Sequence, residues 1–188
     1  MKTIIKSALI LAVAISTVAF TNSIKKVNIT ESTIEWKGKK VFGSHTGTID
    51  LKSGYLEMEG NELTGGMFVV DMTTINVTDL KAGEGKEKLE GHLKSADFFG
   101  VEEHPEATLA FTKAQKMSGG YEIEGTMTIK GVSHPIEFDL EMEGNTATTK
   151  FKIDRSDYNV RYGSGSFFDS LGDNTISDKF ELTVSLKF

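Results

Sequence analysis

The sequence predicts a mainly β protein, a single antiparallel β-barrel of about eight to ten strands with one short amphipathic helix. Three observations predict it. Apolar and polar residues alternate with period two along most of the chain. Short turn signals part the alternating runs: Lys52-Ser53-Gly54, Glu59-Gly60-Asn61, Ser118-Gly119-Gly120 and Glu143-Gly144-Asn145. Between Thr78 and Asp97 the alternation is lost and a helical period replaces it.

Taken in order, the runs are these. Ile34 and Trp36 alternate with Thr33, Glu35 and Lys37. Residues 65–77 form the longest strand candidate, in which Met67, Phe68, Val69 and Val70 are consecutive apolar residues; a bulge, or burial on both faces, accounts for that. Leu89, Leu93 and Ala96 then fall at i, i+4 and i+7 among Lys86, Glu87, Lys88 and Glu90, the pattern of a short helix. Gly83-Glu84-Gly85 leads into it, and Phe98 and Phe99 follow directly. Tyr121, Ile123, Met127 and Ile129 alternate with Glu122, Glu124, Thr126, Thr128 and Lys130. Ile136, Phe138, Leu140 and Met142 alternate with a row of acids, Glu137, Asp139, Glu141 and Glu143. Phe151 and Ile153, and then Phe180, Leu182, Val184, Leu186 and Phe188, complete the set. Residues 163–173 read as a loop carrying Phe167 and Phe168. Short connections imply antiparallel neighbours. An eight-stranded barrel is either filled by its inner side chains or holds one small ligand.

The first twenty residues differ from the rest. Lys2 and Lys6 precede an apolar stretch, residues 8–20, too short for a stable span, with Thr17 and Ala19 at small-residue cleavage positions. Residues 1–19 are therefore expected to be a signal peptide and residues 20–188 one domain, periplasmic or secreted, with no stable membrane span after cleavage. The chain has no cysteine, which excludes disulfides, thiol catalysis and a lipidated N-terminal cysteine. Its net charge of −6 argues against a nucleic-acid partner and disfavours anionic membranes. An outer-membrane barrel is the rival architecture, but the acidic row would be poorly solvated in a narrow lumen and the aromatic girdles are missing.

No catalytic constellation is visible. His45, His92, His104 and His134 show no metal-ligand spacing, so no metal or cofactor is expected. His104 and His134 each precede proline and read as turn structure. No G-x-S-x-G elbow or dinucleotide fingerprint occurs, and the sequons at Asn28 and Asn76 are weak signals. Asp154-Arg155-Ser156-Asp157 is the densest polar cluster, readable as a turn lock or as a site for a polar ligand head.

The runs Gly91-His92-Leu93-Lys94-Ser95-Ala96-Asp97-Phe98-Phe99, Gly125-Thr126-Met127-Thr128-Ile129-Lys130-Gly131 with Pro135, and Ile153-Asp154-Arg155-Ser156-Asp157-Tyr158 together resemble the YceI-like family, in order and spacing. The segments Trp36-Lys37-Gly38-Lys39-Lys40 and Gly43-Ser44-His45-Thr46-Gly47 depart from its pattern. The resemblance implies a lipocalin-like barrel carrying a helix, exported to the periplasm, non-catalytic, and enclosing a long isoprenoid or acyl amphiphile.

The wall expected from the alternation is Trp36, Phe111, Met127, Ile129, Phe138, Phe151 and Ile153, with Leu93, Phe98 and Phe99 closing one end from the helix. His92, Arg155, Asp157 and Tyr158 are the candidates for a polar head. The alternatives are a filled-core interaction or stress module, and a lipid-acting enzyme using His92 with Asp97 or Asp157. Edge strands of an incompletely closed barrel also leave room for a homodimer.

Overall fold

The structure, a computed structural model, describes residues 21–188; the signal peptide expected over residues 1–19 lies outside the described residues. Nine strands form from the alternating runs: β1 (Asn22–Lys26), β2 (Thr33–Lys39), β3 (Ser44–Glu59), β4 (Glu62–Val77), β5 (Glu106–Met117), β6 (Gly120–Ile129), β7 (Val132–Glu143), β8 (Thr146–Asp154) and β9 (Lys179–Lys187). One helix, α1 (Lys86–Lys94), lies between β4 and β5, and two short 3₁₀ turns, Arg155–Tyr158 and Gly172–Asn174, lie between β8 and β9. All neighbours are antiparallel, in the order β1-β3-β2-β9-β8-β7-β6-β5-β4. A further β3–β4 pairing closes β2 to β9 into an eight-stranded barrel. Closure removes the open edges that eight paired strands would otherwise present.

The strand β1 stands outside the ring. It pairs with the far part of β3, Asn22 opposite Glu59 and Lys26 opposite Tyr55, while β2 pairs with the near part, Lys39 opposite Ser44. The two are one line broken at Asn28, whose Oδ1 accepts from the amide and hydroxyl of Thr30. All five β1 residues are exposed, and Lys25 and Lys26 put charge on this edge.

Three sequence expectations need correction. Lys52-Ser53-Gly54 is not a hairpin: β3 runs through it, and the β3–β4 ladder slips register between Leu51 and Ser53, as it does between Thr48 and Asp50 and between Glu57 and Met58. Such bulges bend a long strand around a barrel. The turn instead falls at Lys130-Gly131, both at positive φ (50° and 72°) in a two-residue hairpin. Lys130 tolerates that backbone because its Nζ donates to the carbonyls of Ala96 (2.9 Å) and Phe98 (2.7 Å), tying the hairpin to the segment after α1. His134 lies within β7 rather than in a turn. The helix ends at Lys94, so Ala96 falls beyond it on an exposed turn. Polar contacts dock α1: Glu90 accepts from the Val77 amide (2.8 Å) and Lys86 donates to Asn76 Oδ1 (2.8 Å).

The ring has one weak seam. Strands β6 and β7 pair from Gly120↔Glu141 to Ile129↔Val132, but β7 and β8 pair only at Glu141↔Thr148, Met142↔Ala147 and Glu143↔Thr146. From 132 to 140 the β7 edge toward β8 has no backbone ladder, which is why Pro135 is accommodated in a strand. Side chains close the gap: Phe138 stacks on Phe151 at 4.8 Å between ring centres, and the His134 ring meets Tyr158 edge-on at 5.4 Å.

The tight hairpins at Gly60, Gly119 and Gly144 mark one end of the barrel, and α1 with the 155–178 connection marks the other. The hairpin end is filled by Leu56, Met58, Leu63, Tyr121, Ile123 and Ala147, with the Leu63 amide donating to the Tyr121 hydroxyl at 3.2 Å. Glu137, Asp139, Glu141 and Glu143 face outward and are exposed. An outer face so charged does not suit lipid, which disposes of the outer-membrane rival. No helix among the described residues is long and apolar enough to cross a membrane. The described residues form one closed sheet over one core.

The seam yields a measurable consequence. Amides of β7 between 132 and 140 that do not bond to β6 should exchange with solvent deuterium at least about a hundredfold faster than those that do, because no β8 carbonyl protects them. Uniform protection along β7 would show that the seam is closed in solution.

Candidate functional site

Along β2 to β5, three aromatic side chains stand directly opposite glycines: Trp36 opposite Gly47, Phe68 opposite Gly54, and Phe111 opposite Gly66. The contacts are close. A Cβ on Gly47 would meet the Trp36 indole at 2.4 Å, one on Gly54 the Phe68 ring at 2.6 Å, and one on Gly66 the Phe111 ring at 2.7 Å. Phe111 also faces Gly125 on its other side. Each ring therefore lies flat on the wall over a missing side chain instead of projecting into the lumen. The Trp36 Nε1 donates to the Thr48 carbonyl at 3.2 Å, which holds the indole down.

The space left is an apolar cavity of about 190 Å³. It spans the helix half of the barrel, and the packed hairpin end forms its floor. All ten residues of the expected wall line it: Trp36, Leu93, Phe98, Phe99, Phe111, Met127, Ile129, Phe138, Phe151 and Ile153. Others line it that the sequence reading left out, among them Ile49, Leu51, Phe68, Met72 and Ile75 on β3 and β4, and Phe180, Leu182, Val184 and Leu186 on β9. The β9 set was visible in its own alternation. The β3 and β4 set was obscured by bulges that shift parity.

The ceiling is built by α1 and by the segments 95–105 and 155–178. Phe98 is buried, packs edge-on against Phe99 (5.0 Å) and His92 (5.6 Å), and Phe99 meets Phe180 at 6.3 Å. Arg155, 2% exposed, lines the cavity with its guanidinium turned to the backbone. It donates to the carbonyls of Ser177 (3.1 Å), Val160 (2.7 Å), Tyr162 (2.9 Å) and Ile176 (3.0 Å), and pairs with Asp178 at 3.3 Å. Those carbonyls belong to one long connection, so a single cation locks it across the barrel end. Burial works against ionisation of Asp178, but the hydroxyls of Ser164 and Ser166 and the charge of Arg155 outweigh it and hold the carboxyl below its ordinary value.

The other polar candidates stand apart from the lumen. Asp157 is exposed. Tyr158 is buried against His134 at the seam, and that burial, reinforced by Asp157, raises its phenol pKa. His92 packs between Phe98 and Tyr162, with its Nε2 buried and unpartnered and no hydrogen bond to Asp97 or Asp157. Among the described residues, the polar side chains on the cavity wall besides Arg155 are Thr108, Thr149, Ser177 and the indole of Trp36. Among the described residues no group of three His, Asp or Glu is placed to hold a metal ion. His45 forms a surface pair with Asp79 at 2.9 Å, away from the cavity. What this arrangement can do is enclose an apolar chain.

Two outcomes follow from the glycine seats and the arginine lock. Gly54→Ala forces the Phe68 ring off the wall, and inward is the open direction; about 1–3 kcal/mol of stability and most of the uptake of an apolar fluorescent probe should be lost together. Arg155→Leu strands four carbonyls and the Asp178 carboxylate, a loss of about 3–5 kcal/mol by urea denaturation. Because the folded Asp178 pKa is depressed, its contribution should be complete above the ordinary value of 3.8 and lost as pH falls below it. A pH titration of the wild-type and Asp178→Asn proteins should therefore converge in acid.

Comparison with known proteins gives consistent results. The family model for the YceI-like domain matches residues 26–188. A UPF0312 protein of Pectobacterium atrosepticum is 34% identical over 71 residues, 38% of this chain and 36% of that protein, so the match spans about a third of the relative's length. BcnA of Burkholderia cenocepacia superposes with a TM-score of 0.68 at 18% identity, covering 85% of this chain and 98% of that one. A polyisoprenoid-binding domain from Saccharophagus degradans, implicated in plant cell wall breakdown, superposes with a TM-score of 0.59 at 14% identity, covering 89% and 97%. At these identities the structures establish a shared fold.

Proposed function

The chain belongs to the YceI-like family, and on that premise we propose that it is an exported, non-catalytic protein that carries the tail of a long-chain isoprenoid or acyl amphiphile in its barrel. The observation that carries the reading is the apolar cavity of about 190 Å³, walled almost wholly by hydrocarbon and aromatic groups. An apolar cavity of about 150 Å³ already stays dry and accepts benzene. Each enclosed CH₂ contributes about 0.8 kcal/mol, so ten supply a gross ~8 kcal/mol before association costs of several kcal/mol. A hydrocarbon tail is thereby favoured over a compact polar metabolite, which finds almost nothing to pair with on this wall. That a structural neighbour is described as a polyisoprenoid-binding domain supports the same class of ligand.

In this reading the ten wall residues contact the tail, and Met127 adapts to its contour. The packed hairpin end limits its depth, so the head remains at the helix end. Of the polar candidates, Arg155 has its donors taken by backbone carbonyls, Tyr158 sits at the seam, and Asp157 faces solvent. His92, one ring away from the cavity through Phe98, carries an unpaired buried nitrogen, and we assign the head contact to it. Export follows from Lys2, Lys6 and the apolar stretch at residues 8–20, with a periplasmic or secreted destination.

Solvent extraction of protein purified from its own host, followed by mass spectrometry, should yield one long-chain lipid per protein. Val184→Trp, which fills the lumen, should abolish that stoichiometry while the unfolding transition stays cooperative. A wild-type extract free of lipid, with no uptake of added fatty acid or polyprenol, would sink the reading.

A further inference from the structure

The helix end of the barrel carries more exposed apolar surface than its role as a ceiling needs. Phe42 (68% exposed) and Val41 sit at the tip of the β2–β3 hairpin, and Tyr162, Phe167 and Phe168 project from the 155–178 connection. Hydrogen bonds join these loops into one surface. Lys40 bridges to Ile176, the Val41 amide donates to the Thr175 carbonyl (3.2 Å), and the Ile176 amide donates to the Gly163 carbonyl (2.8 Å). The segment 163–168 closes on itself, the Phe168 amide donating to Ser164 at 3.1 Å. Directly behind lie Gly38, Arg155, Ile176 and Ser177, all of which line the cavity.

Charge around this rim departs from that of the whole molecule. The chain carries −6 overall, yet Lys39 and Lys40 flank Val41 and Phe42, and the Arg161 guanidinium sits over the Phe167 ring at 4.8 Å. The carboxylates in the same connection are the exposed Asp157, Asp169 and Asp173 and the half-buried Asp178, which pairs with Arg155, so the exposed charges of this rim balance where the whole chain is acidic. Aromatic tips flanked by cations are the composition that inserts into the headgroup layer of an anionic bilayer, where rings are half-buried and cations meet phosphate.

We propose that this rim is a membrane-docking surface, and that the barrel meets an anionic lipid bilayer end-on, with the ceiling of its cavity facing the lipid. Five of the exposed large apolar side chains among the described residues gather on the loops of the helix end, while the other four, Ile24, Ile29, Met67 and Met117, are spread over β1, the turn after it, β4 and β5; the outward face of β7 carries an acidic row. This places lipid exchange at the one end where the cavity reaches the surface loops. It rests on the carrier reading for its purpose but not for its test.

The test is cosedimentation of the protein, as purified from its host, with vesicles of phosphatidylglycerol and phosphatidylethanolamine, against vesicles of phosphatidylcholine alone. Wild type should sediment with the anionic vesicles and release in high salt. Phe42→Ser with Phe168→Ser should reduce partitioning at least about tenfold. Lys39→Glu with Lys40→Glu should reduce it on anionic vesicles by about fivefold or more per lysine at low salt. The cavity variant Gly54→Ala should still bind vesicles, so loss of the carrier function and loss of docking are told apart. Absence of wild-type sedimentation, or sedimentation undiminished in the phenylalanine pair, overturns the proposal. So does a stable dimer that the phenylalanine pair dissolves, since a second copy would then be what covers this face.

Discussion

Whether an eight-stranded barrel is hollow depends on where its largest side chains lie. Inward residues of ordinary size fill the interior of such a barrel. Here Trp36, Phe68 and Phe111 stand opposite Gly47, Gly54 and Gly66, and each ring lies across its partner strand. The glycines are thus part of the wall in the same sense as the rings. Their role is not turn geometry, since all three lie inside strands, but the removal of a Cβ where a ring must pass. Void and wall come from the same pairs: a ring laid flat both lines the lumen and leaves it open.

The barrel is consequently two bodies in one sheet. At the hairpin end, tight turns join the strands and Leu56, Leu63 and Ile123 are almost wholly buried. At the helix end the connections are long, and a long connection has few ladder bonds to fix it. Arg155 supplies what the backbone there lacks. Its fork gathers four carbonyls of one connection and a carboxylate, on a residue that also walls the cavity. Lys130 does the same on a smaller scale, joining the β6–β7 turn to the carbonyls of Ala96 and Phe98. The opening is held by cations on carbonyls, which satisfy buried backbone groups without adding bulk to the lumen.

Much of this was legible in the chain. Period-two alternation located most of the strands and the apolar face of each, and from those faces the wall residues on β5 to β8 followed directly. Three things were not legible, and each has a reason. The Lys52-Ser53-Gly54 run has the composition of a turn, but β3 continues through it because β1 and β4 pair with the residues on either side. The Lys130-Gly131 turn was hidden by Lys130 continuing the alternation of β6, its left-handed backbone stabilised by partners more than thirty residues away. The glycine seats depend on cross-strand register, and register is a tertiary property once bulges intervene. Arg155 was recognisable as a cluster member; that its donors would be spent on backbone was not, since a sequence does not say where a connection folds back.

A void also has an energetic meaning. In cores from which side chains have been removed, stability falls by about 24 cal/mol for each Å³ of cavity. A lumen of about 190 Å³ then corresponds to a loss on the order of 4–5 kcal/mol relative to the same barrel filled. That is a large part of the total stability of a domain this size, about 5–15 kcal/mol, and the chain has no disulfide to offset it. Filling it would have taken a few larger side chains at Val184, Leu182 or Ala107, or rings turned inward from the glycine seats. The fold does the reverse and sets glycines where rings must be kept back. Whatever occupies the lumen binds the folded state and not the unfolded chain, so it restores stability in proportion to its affinity and concentration. A hydrocarbon tail restores the missing dispersion contacts and removes its own surface from water in the same step.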